Sequence, residues 1–407
     1  MRRTTFPGIQ AATSETARGI NRSIVLNLIR RRQPISRADL ARASGLQRST
    51  VSLITEQLIR ERWVIYGSTG RLPRGRRPTF LQLNDRRAIL AVDLRPSTTT
   101  VAVADVNGRF LAQQSTPTPS DPDTAARIFS KQLRQMMEGH SDLVFEGVGI
   151  SIPGRFDDSR QRVIFAPNLK WPEFDLKGPL ERATGLQVEL ENAANACVLA
   201  EVWFGHAEGT RNLVVITVSE GVGTGVFSEG RLMRGAHGMA GEFGHVPLDE
   251  NGPLCGCGRR GCWEVYASNW AALRYYGASA GAKGLIFRDL LSLAEGGDKQ
   301  ATSALDNMAR QIGRGIRTVI AGVSPGEIVM VGEFTRLWNR MGPLIESVVA
   351  QSALAGNLPR IRPAAAEPSV ARLRGTVALV LQKHFGSAAL AQPQPRIAEG
   401  RSTLSLQ

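Results

Sequence analysis

The chain has 407 residues, 42% of them hydrophobic and 21% charged, with a formal net charge of +14. That length exceeds one ordinary domain and predicts two or three, and the composition is that of a globular protein with sizeable cores. No apolar run approaches the ~20 residues of a bilayer span, and 1–15 carry arginines without an apolar stretch behind them, so neither a membrane protein nor a secretory signal is expected.

The cytoplasm is therefore the expected compartment. Residues 1–87 contain 18 Arg, no Lys and 5 acids, a net charge of +13, whereas the other 320 residues hold 32 basic and 31 acidic side chains. Counterion release draws so basic a segment to phosphate backbones, although charge runs are also often solvated tails. The pattern inside the segment decides between the two.

From Asn21, the residues Ile24, Val25, Leu28 and Ile29 fall on one helical face, and Pro34 ends that helix. Ser36 with Asp39 three places on marks the start of a second helix, with Leu40 and Ala43 facing inward. Gly45 stands where a left-handed helix end is expected. A third helix is predicted from about Arg48 to Glu61, burying Val51, Ile54 and Leu58. Two short helices joined by a tight turn predict a helix-turn-helix whose second helix enters the major groove. Its outward positions are read as Gln47, Arg48, Ser49, Ser52 and Thr55, with Thr50 in the same stretch, all able to contact base edges or phosphates. Trp63–Tyr66 and Phe80–Leu83 then read as strands flanking an arginine-rich tip, with Arg74, Arg76 and Arg77 held extended by Gly75 and Pro78. Such a wing suits a narrow minor groove. Double-stranded DNA is the expected partner of this first domain, over 1–87.

Beyond Asp85, strands are predicted at Ala88–Leu94, Thr99–Asp105 and Phe110–Gln114, a helix near Thr124–Glu138, and a strand at Phe145–Ile152. A second round has strands at Leu213–Val218, Gly225–Phe227 and Glu327–Val331. Strands alternating with helices predict an α/β body in two lobes, 88–205 and 206–367, with a cleft between them. Residues 388–407 are rich in Pro, Gln and Ser and read as a disordered tail.

His245 precedes the run Cys255-Gly256-Cys257-Gly258-Arg259-Arg260-Gly261-Cys262. One His and three thiolates are the ligand set of a closed tetrahedral zinc site. Three clustered cysteines cannot all pair with one another, and disulfides are rare in the cytosol, so structural Zn2+ is the expected cofactor. Cys197 stands apart in an apolar helix and reads as core. Asn168, Asn192, Glu242 and Glu264 bring amides and carboxylates to the same region, as a polyhydroxylated ligand requires. Taken singly, each is as readily a surface or capping residue, as Asn192 is before the helix that follows it.

The elements Gly149-Ile150-Ser151-Ile152-Pro153-Gly154, Pro167-Asn168-Leu169, Glu191-Asn192-Ala193-Ala194-Asn195-Ala196, Glu242-Phe243-Gly244-His245 and the cysteine run together resemble the ROK family of repressors, open reading frames and sugar kinases. The resemblance runs from about Asn21 to about Phe385. With the winged helix in front, the chain is similar to the family's xylose and N-acetylglucosamine repressors. The resemblance implies an actin-like, ribonuclease-H-like fold in two lobes, with the last helix, about 368–387, returning to the first. It implies that Asn168, Asn192, Glu242, His245 and Glu264 contact a sugar effector, with His245 bound to zinc through one ring nitrogen and facing the ligand with the other. A homo-oligomer, dimer or tetramer, is also implied.

On the nucleotide side the chain departs from the family's kinases. Ala193 stands where they carry the Asp that takes the sugar hydroxyl's proton. Asp93-Leu94-Arg95-Pro96-Ser97-Thr98 replaces a glycine-rich phosphate loop, and proline removes an amide donor. Glu220 enters the second loop, Ser219–Gly225, and Gly332-Glu333-Phe334 replaces a glycine run. The expectation is a sugar-controlled transcriptional regulator, most readily a repressor, that lacks catalysis. The alternatives are an ATP-dependent sugar kinase with a DNA-binding extension, and a ligand-independent DNA-binding protein.

Overall fold

The computed structural model describes residues 14–69, 79–157, 162–166, 169–207, 209–280, 284–351 and 356–386. The contact pattern divides the chain into two compact units. Met1–Leu83 form the first together with the segment from Phe385, and Asn84–His384 form the second. No helix among the described residues is long and apolar enough to cross a membrane. The arginine tip with Arg74, Arg76 and Arg77, the amide Asn168, and the tail 388–407 all lie outside the described residues.

The first unit comprises α1 (Ser14–Arg32), β1 (Ile35–Ser36), α2 (Arg37–Ser44), α3 (Arg48–Arg60), β2 (Val64–Thr69) and β3 (Thr79–Leu83). Local chemistry sets its corners. The Ser36 hydroxyl accepts the Asp39 amide at 3.2 Å and caps α2, and Gly45 ends that helix in the left-handed region at φ 71°. Val25, Leu26, Ile29, Leu40, Val51 and Leu58 are buried on the facing sides of the three helices. The strands form a sheet in the order β1-β3-β2, all antiparallel. Phe385 completes this core, its ring edge-on to Trp63 at 5.5 Å and its carbonyl accepting from Asn27 Nδ2 at 2.9 Å.

The second unit repeats one topology twice. Its first round runs β4 (Arg87–Leu94), β5 (Thr98–Asp105), β6 (Phe110–Pro117), α4 (Pro122–Glu138) and β7 (Val144–Ile152). It continues with β8 (Arg155–Asp157), β9 (Arg162–Phe165), α5 (Lys177–Thr184), β10 (Val188–Asn192) and α6 (Ala193–Phe204). The second round runs β11 (Leu213–Val218), β12 (Val222–Ser228), β13 (Arg231–Met233), α7 (Glu264–Ala267), α8 (Asn269–Ala280) and α9 (Phe287–Glu295). It closes with α10 (Lys299–Val323), β14 (Glu327–Val331), α11 (Trp338–Val349), β15 (Arg360–Pro363) and α12 (Pro368–Phe385). The sheets are ordered β10-β7-β4-β5-β6 and β13-β12-β11-β14-β15. In each, an antiparallel three-strand meander is extended by two parallel strands on the side of its first strand. The central strands β4, β11 and β14 are buried along almost their whole length, which is why they read as near-continuous apolar runs.

Cys197 and Val198 of α6 and Ala371 of α12 share one apolar cluster with Leu213, Val215 and Val329 of the second sheet. α12 also reaches the first sheet. A Cβ at Gly149 of β7 would stand 2.2 Å from the Thr376 carbonyl, and one at Gly375 would stand 1.9 Å from the Ala196 carbonyl. No side chain fits at either approach, so Gly375→Ala is expected to destabilise the second unit by about 3 kcal/mol, as overpacking of a closed core does. A urea midpoint unchanged in that variant would contradict the interlock of α6 and α12.

Candidate ligand cleft, metal centre and nucleic-acid face

In the first unit, Gln47, Arg48 and Ser49 are exposed at the start of α3, and Thr50 and Ser52 are half-buried. Thr55, expected on the outward face, is instead fully buried. Its hydroxyl accepts from Arg37 Nε at 2.9 Å and donates to the Ser52 carbonyl. Arg37 also donates to the Tyr66 hydroxyl at 3.2 Å, bracing α2, α3 and β2 together. Leu53, which an apolar pattern would bury, is 66% exposed on the same face of α3 as Ser49.

The second unit holds a cleft of about 800 Å³, lined by the turn after β4, the start of α6, the β11–β12 loop and the cysteine loop. Among its walls are Asn192, Glu242, His245 and Glu264, four of the five residues expected to contact a ligand. Each is held by local structure. Asn192 caps α6, its Oδ1 accepting from the Ala194 amide at 2.8 Å while its Nδ2 donates to the Gly154 carbonyl at 3.0 Å. Glu242 and His245 are the ends of one 3-10 turn, and Glu242 Oε2 lies 3.9 Å from His245 Nε2. Glu264 opens α7 and accepts the Val222 amide at 3.0 Å, which ties the β11–β12 loop to the cysteine loop.

The ligand atoms of His245, Cys255, Cys257 and Cys262 all lie within 4.8 Å of one another. Cys255 Sγ is 3.6 Å from His245 Nδ1, and Cys257 Sγ is 3.6 Å from Cys262 Sγ. Burial pushes the Cys255 and Cys262 thiols upward in pKa. Three thiolates in so small a volume need a compensating cation, and His with three thiolates is a donor set that suits a divalent metal in a closed site. The group fits a metal ion, and Nδ1 is the ring nitrogen on the side of the Cys255 thiol. The other ring nitrogen is then left toward Glu242 and the cleft. Cys197, by contrast, is fully buried and its thiol is pushed up to about 12 by that burial, an inert core residue.

Several residues at which the chain departs from the kinases also line the cleft. Ala193, Arg95, Pro96 and Glu220 face it, and Arg95 lies 3.8 Å from Glu220. Asp93 is buried and engaged, its Oδ1 accepting from Ser151 Oγ at 2.7 Å and its Oδ2 from Arg372 Nε at 3.0 Å. A second buried carboxylate, Glu191, takes Arg234 on Oε2 at 2.8 Å and Asn195 Nδ2 on Oε1 at 3.0 Å, and its burial pushes the carboxyl pKa up. Neither pairing was foreseen from sequence. Arg372 and Arg234 carry no motif, and only the fold brings them to their partners.

Comparison with known proteins agrees with this architecture. The model of the ROK family matches residues 89–383. The xylose repressor of Bacillus subtilis is 32% identical over 317 residues, covering 76% of this chain and 81% of the repressor. A solved ROK family transcriptional regulator, a homologue of the Escherichia coli MLC protein, is 26% identical with a TM-score of 0.79, covering 92% of this chain and 98% of that one. A ROK family glucokinase from Streptomyces griseus, solved with glucose and AMPPNP, is 29% identical with a TM-score of 0.65, covering 72% of this chain and 99% of that one. The doubled sheet topology, the cluster of one histidine with three cysteines and these matches make the chain a member of the ROK family.

Proposed function

We propose that this protein is a sugar-responsive transcriptional regulator, most readily a repressor of carbohydrate genes, acting in the cytoplasm on a double-stranded DNA operator. The observation that carries the reading is coverage. The match to a solved regulator takes in 92% of the chain, whereas that to a glucokinase takes in 72%. The family model begins at residue 89, and the basic chain before it has a helix, strand and turn order that suits a winged helix-turn-helix. Within it, Gln47, Arg48, Ser49, Thr50 and Ser52 meet the major groove, and Arg74, Arg76 and Arg77 supply the minor-groove contacts. In the body, Asn168, Asn192, Glu242, His245 and Glu264 hold the sugar, and structural Zn2+ is held by His245, Cys255, Cys257 and Cys262. Held there, zinc would order the cysteine loop between His245 and Glu264 and would supply structure rather than reaction chemistry. Ligand binding shifts a homo-oligomer, dimer or tetramer, between DNA-competent and DNA-incompetent arrangements.

Titration of DNA from upstream of its own coding region, with and without pentoses, hexoses and amino sugars, tests this. One sugar is expected to change operator affinity at fixed salt, and Glu242→Ala to abolish that response while leaving DNA binding intact. Indifference to every sugar would leave a DNA-binding protein with a body of another use.

The kinase reading draws on the retained glycines of Gly221–Gly225, of which Gly221 and Gly223 line the cleft. Against it, Ala193 cannot accept a proton, and Asp93 is bound to Arg372 and Ser151. No sugar phosphate is expected from purified protein with Mg-ATP. A product lost in Glu242→Ala would reverse that conclusion.

A further inference from the structure

The outward face of α3 carries a side chain that none of the polar contacts above explains. Among the described residues of α3, those exposed are Arg48, Ser49, Leu53, Glu56 and Arg60, and Leu53, at 66%, is the one apolar side chain among them. A single exposed leucine on a protein surface is ordinary. Its place makes this one informative. Leu53 follows Ser49 by four positions, so the two lie on one face a turn apart, and Gln47 and Arg48 open the same helix. An apolar residue there neither neutralises a phosphate nor bonds to a polar base edge.

The backbone on either side of Leu53 is fixed. The Ser52 carbonyl accepts from the Thr55 hydroxyl at 3.0 Å, that hydroxyl accepts from Arg37 Nε at 2.9 Å, and Ile54 is buried. Leu53 is therefore presented on a braced helix, as a residue that recognises shape needs to be. Its surroundings are cationic, since residues 1–87 hold 18 Arg against 5 acids and the first turn of α3 has no acidic side chain. Charge complementarity makes a polyanion, rather than an apolar protein surface, the partner that covers this face. In the major groove of a duplex, thymine alone offers an apolar group, its 5-methyl. Any other base would leave a donor or acceptor stranded against the leucine.

We propose that Leu53 is a specificity-determining residue that packs on the 5-methyl group of a thymine in the major groove of the operator. The assignment rests on the reading of the first unit as DNA-binding and adds an apolar contact to the polar ones proposed above. Four residues of helix rise about 6 Å, so the thymine lies about two base pairs from the pair that Ser49 meets, at ~3.4 Å per step. Glu56, three positions further on and exposed, would meet phosphate unfavourably, so close contact ends near Leu53.

The test uses the full chain. Duplexes selected by it from a random pool give the preferred site, and each thymine of that site is then replaced in turn by uracil, which differs only in lacking the methyl group. One such replacement is expected to weaken binding by the parent roughly fourfold, as loss of one buried methyl group does, and to leave Leu53→Ala unaffected. Leu53→Ala itself is expected to bind the selected site roughly fivefold to tenfold more weakly than the parent, and a scrambled duplex within about twofold of it. Leu53→Met keeps an apolar surface and should retain most of the affinity and the sensitivity to uracil. Alanine and methionine both suit an exposed helix position, so the melting midpoints are expected to stay within about 2 °C of the parent. Uracil penalties equal in the parent and in Leu53→Ala at every thymine would overturn the assignment. So would equal losses on selected and scrambled duplexes. A change of oligomeric state in Leu53→Ala with DNA binding intact would overturn it too, and would make Leu53 a contact between copies of this chain. Failure of the parent to enrich any sequence would overturn the DNA reading itself, and the role of Leu53 with it.

Discussion

Replacing Cys257 by Ser is expected to empty the metal centre and to cost the second unit about 3–5 kcal/mol of stability, the range in which loss of a structural metal falls. The loop that carries the thiols has little else to hold it. Between Pro247 and Cys262 its order comes from two isolated bridges, Pro247 with Cys262 and Leu254 with Arg260, and a few turn hydrogen bonds such as that of the Cys255 amide to the Arg259 carbonyl at 2.7 Å. A serine hydroxyl does not ionise to replace a thiolate, so the remaining three ligands would hold zinc weakly. Trp263, adjacent to Cys262, is 1% exposed and its indole N–H donates to the Gln311 carbonyl of α10 at 2.9 Å. Loosening the loop therefore reaches the α10 core and should red-shift tryptophan emission. Purified parent protein is expected to contain close to one zinc per chain, and chelation should reproduce the variant's lowered melting temperature. Unchanged melting and metal content in Cys257→Ser would refute the metal centre.

The parts of this molecule that the sequence made legible are those governed by neighbours along the chain. Ser36 with Asp39 and Gly45 mark the two ends of α2 through bonds spanning only a few residues. The central strands β4, β11 and β14 are announced by apolar runs because both their faces are covered. The cysteine run and His245 are close enough in sequence for their joint use to be read directly. What was missed depends on distant partners. Strands β10, β13 and β15 are short and take their conformation from the neighbours they pair with. α1 begins at Ser14, earlier than the apolar face starting at Ile24 suggests, because its early turns are exposed and carry no core pattern. Thr55 is polar yet buried because Arg37, from another helix, gives its hydroxyl a partner. The ion pair between Asp93 and Arg372 spans 279 positions of sequence and exists only because α12 returns to the first sheet.

The same contrast bears on the cleft. The residues expected to contact a ligand sit on turns and caps that their own neighbours hold in place, Glu242 and His245 within one 3-10 turn and Asn192 as a helix cap. The Asp93 carboxylate, by contrast, is paired with a cation from a helix near the far end of the chain. A magnesium-bound phosphate approaching Asp93 would have to displace a buried guanidinium from it, and breaking such a pair is strongly unfavourable. Substituting Ala193 alone is therefore not enough to expect phosphoryl transfer.

The second large effect is expected at the DNA. Replacing Arg76 and Arg77 together by Ala should weaken binding to operator and scrambled duplexes alike. It should also lower the slope of log affinity against log salt by about 1.8, near 0.9 for each phosphate left unneutralised. The reasoning rests on charge, since residues 1–87 carry 18 Arg against 5 acids and the tip places four arginines within seven positions, 71 to 77. Arg48→Ala, at the exposed start of α3, should behave differently. Removing a residue that reads a base edge costs about 1–3 kcal/mol on the operator and much less on scrambled DNA. Filter or fluorescence titrations of both duplexes at several salt concentrations separate the two behaviours. An unaltered salt slope in the double variant would mean that the wing does not touch the backbone, and the basic charge would then serve some surface other than a phosphate-lined groove. An Arg48→Ala loss equal on both duplexes would make that residue a phosphate contact, and base reading would fall to Gln47, Ser49 and Ser52.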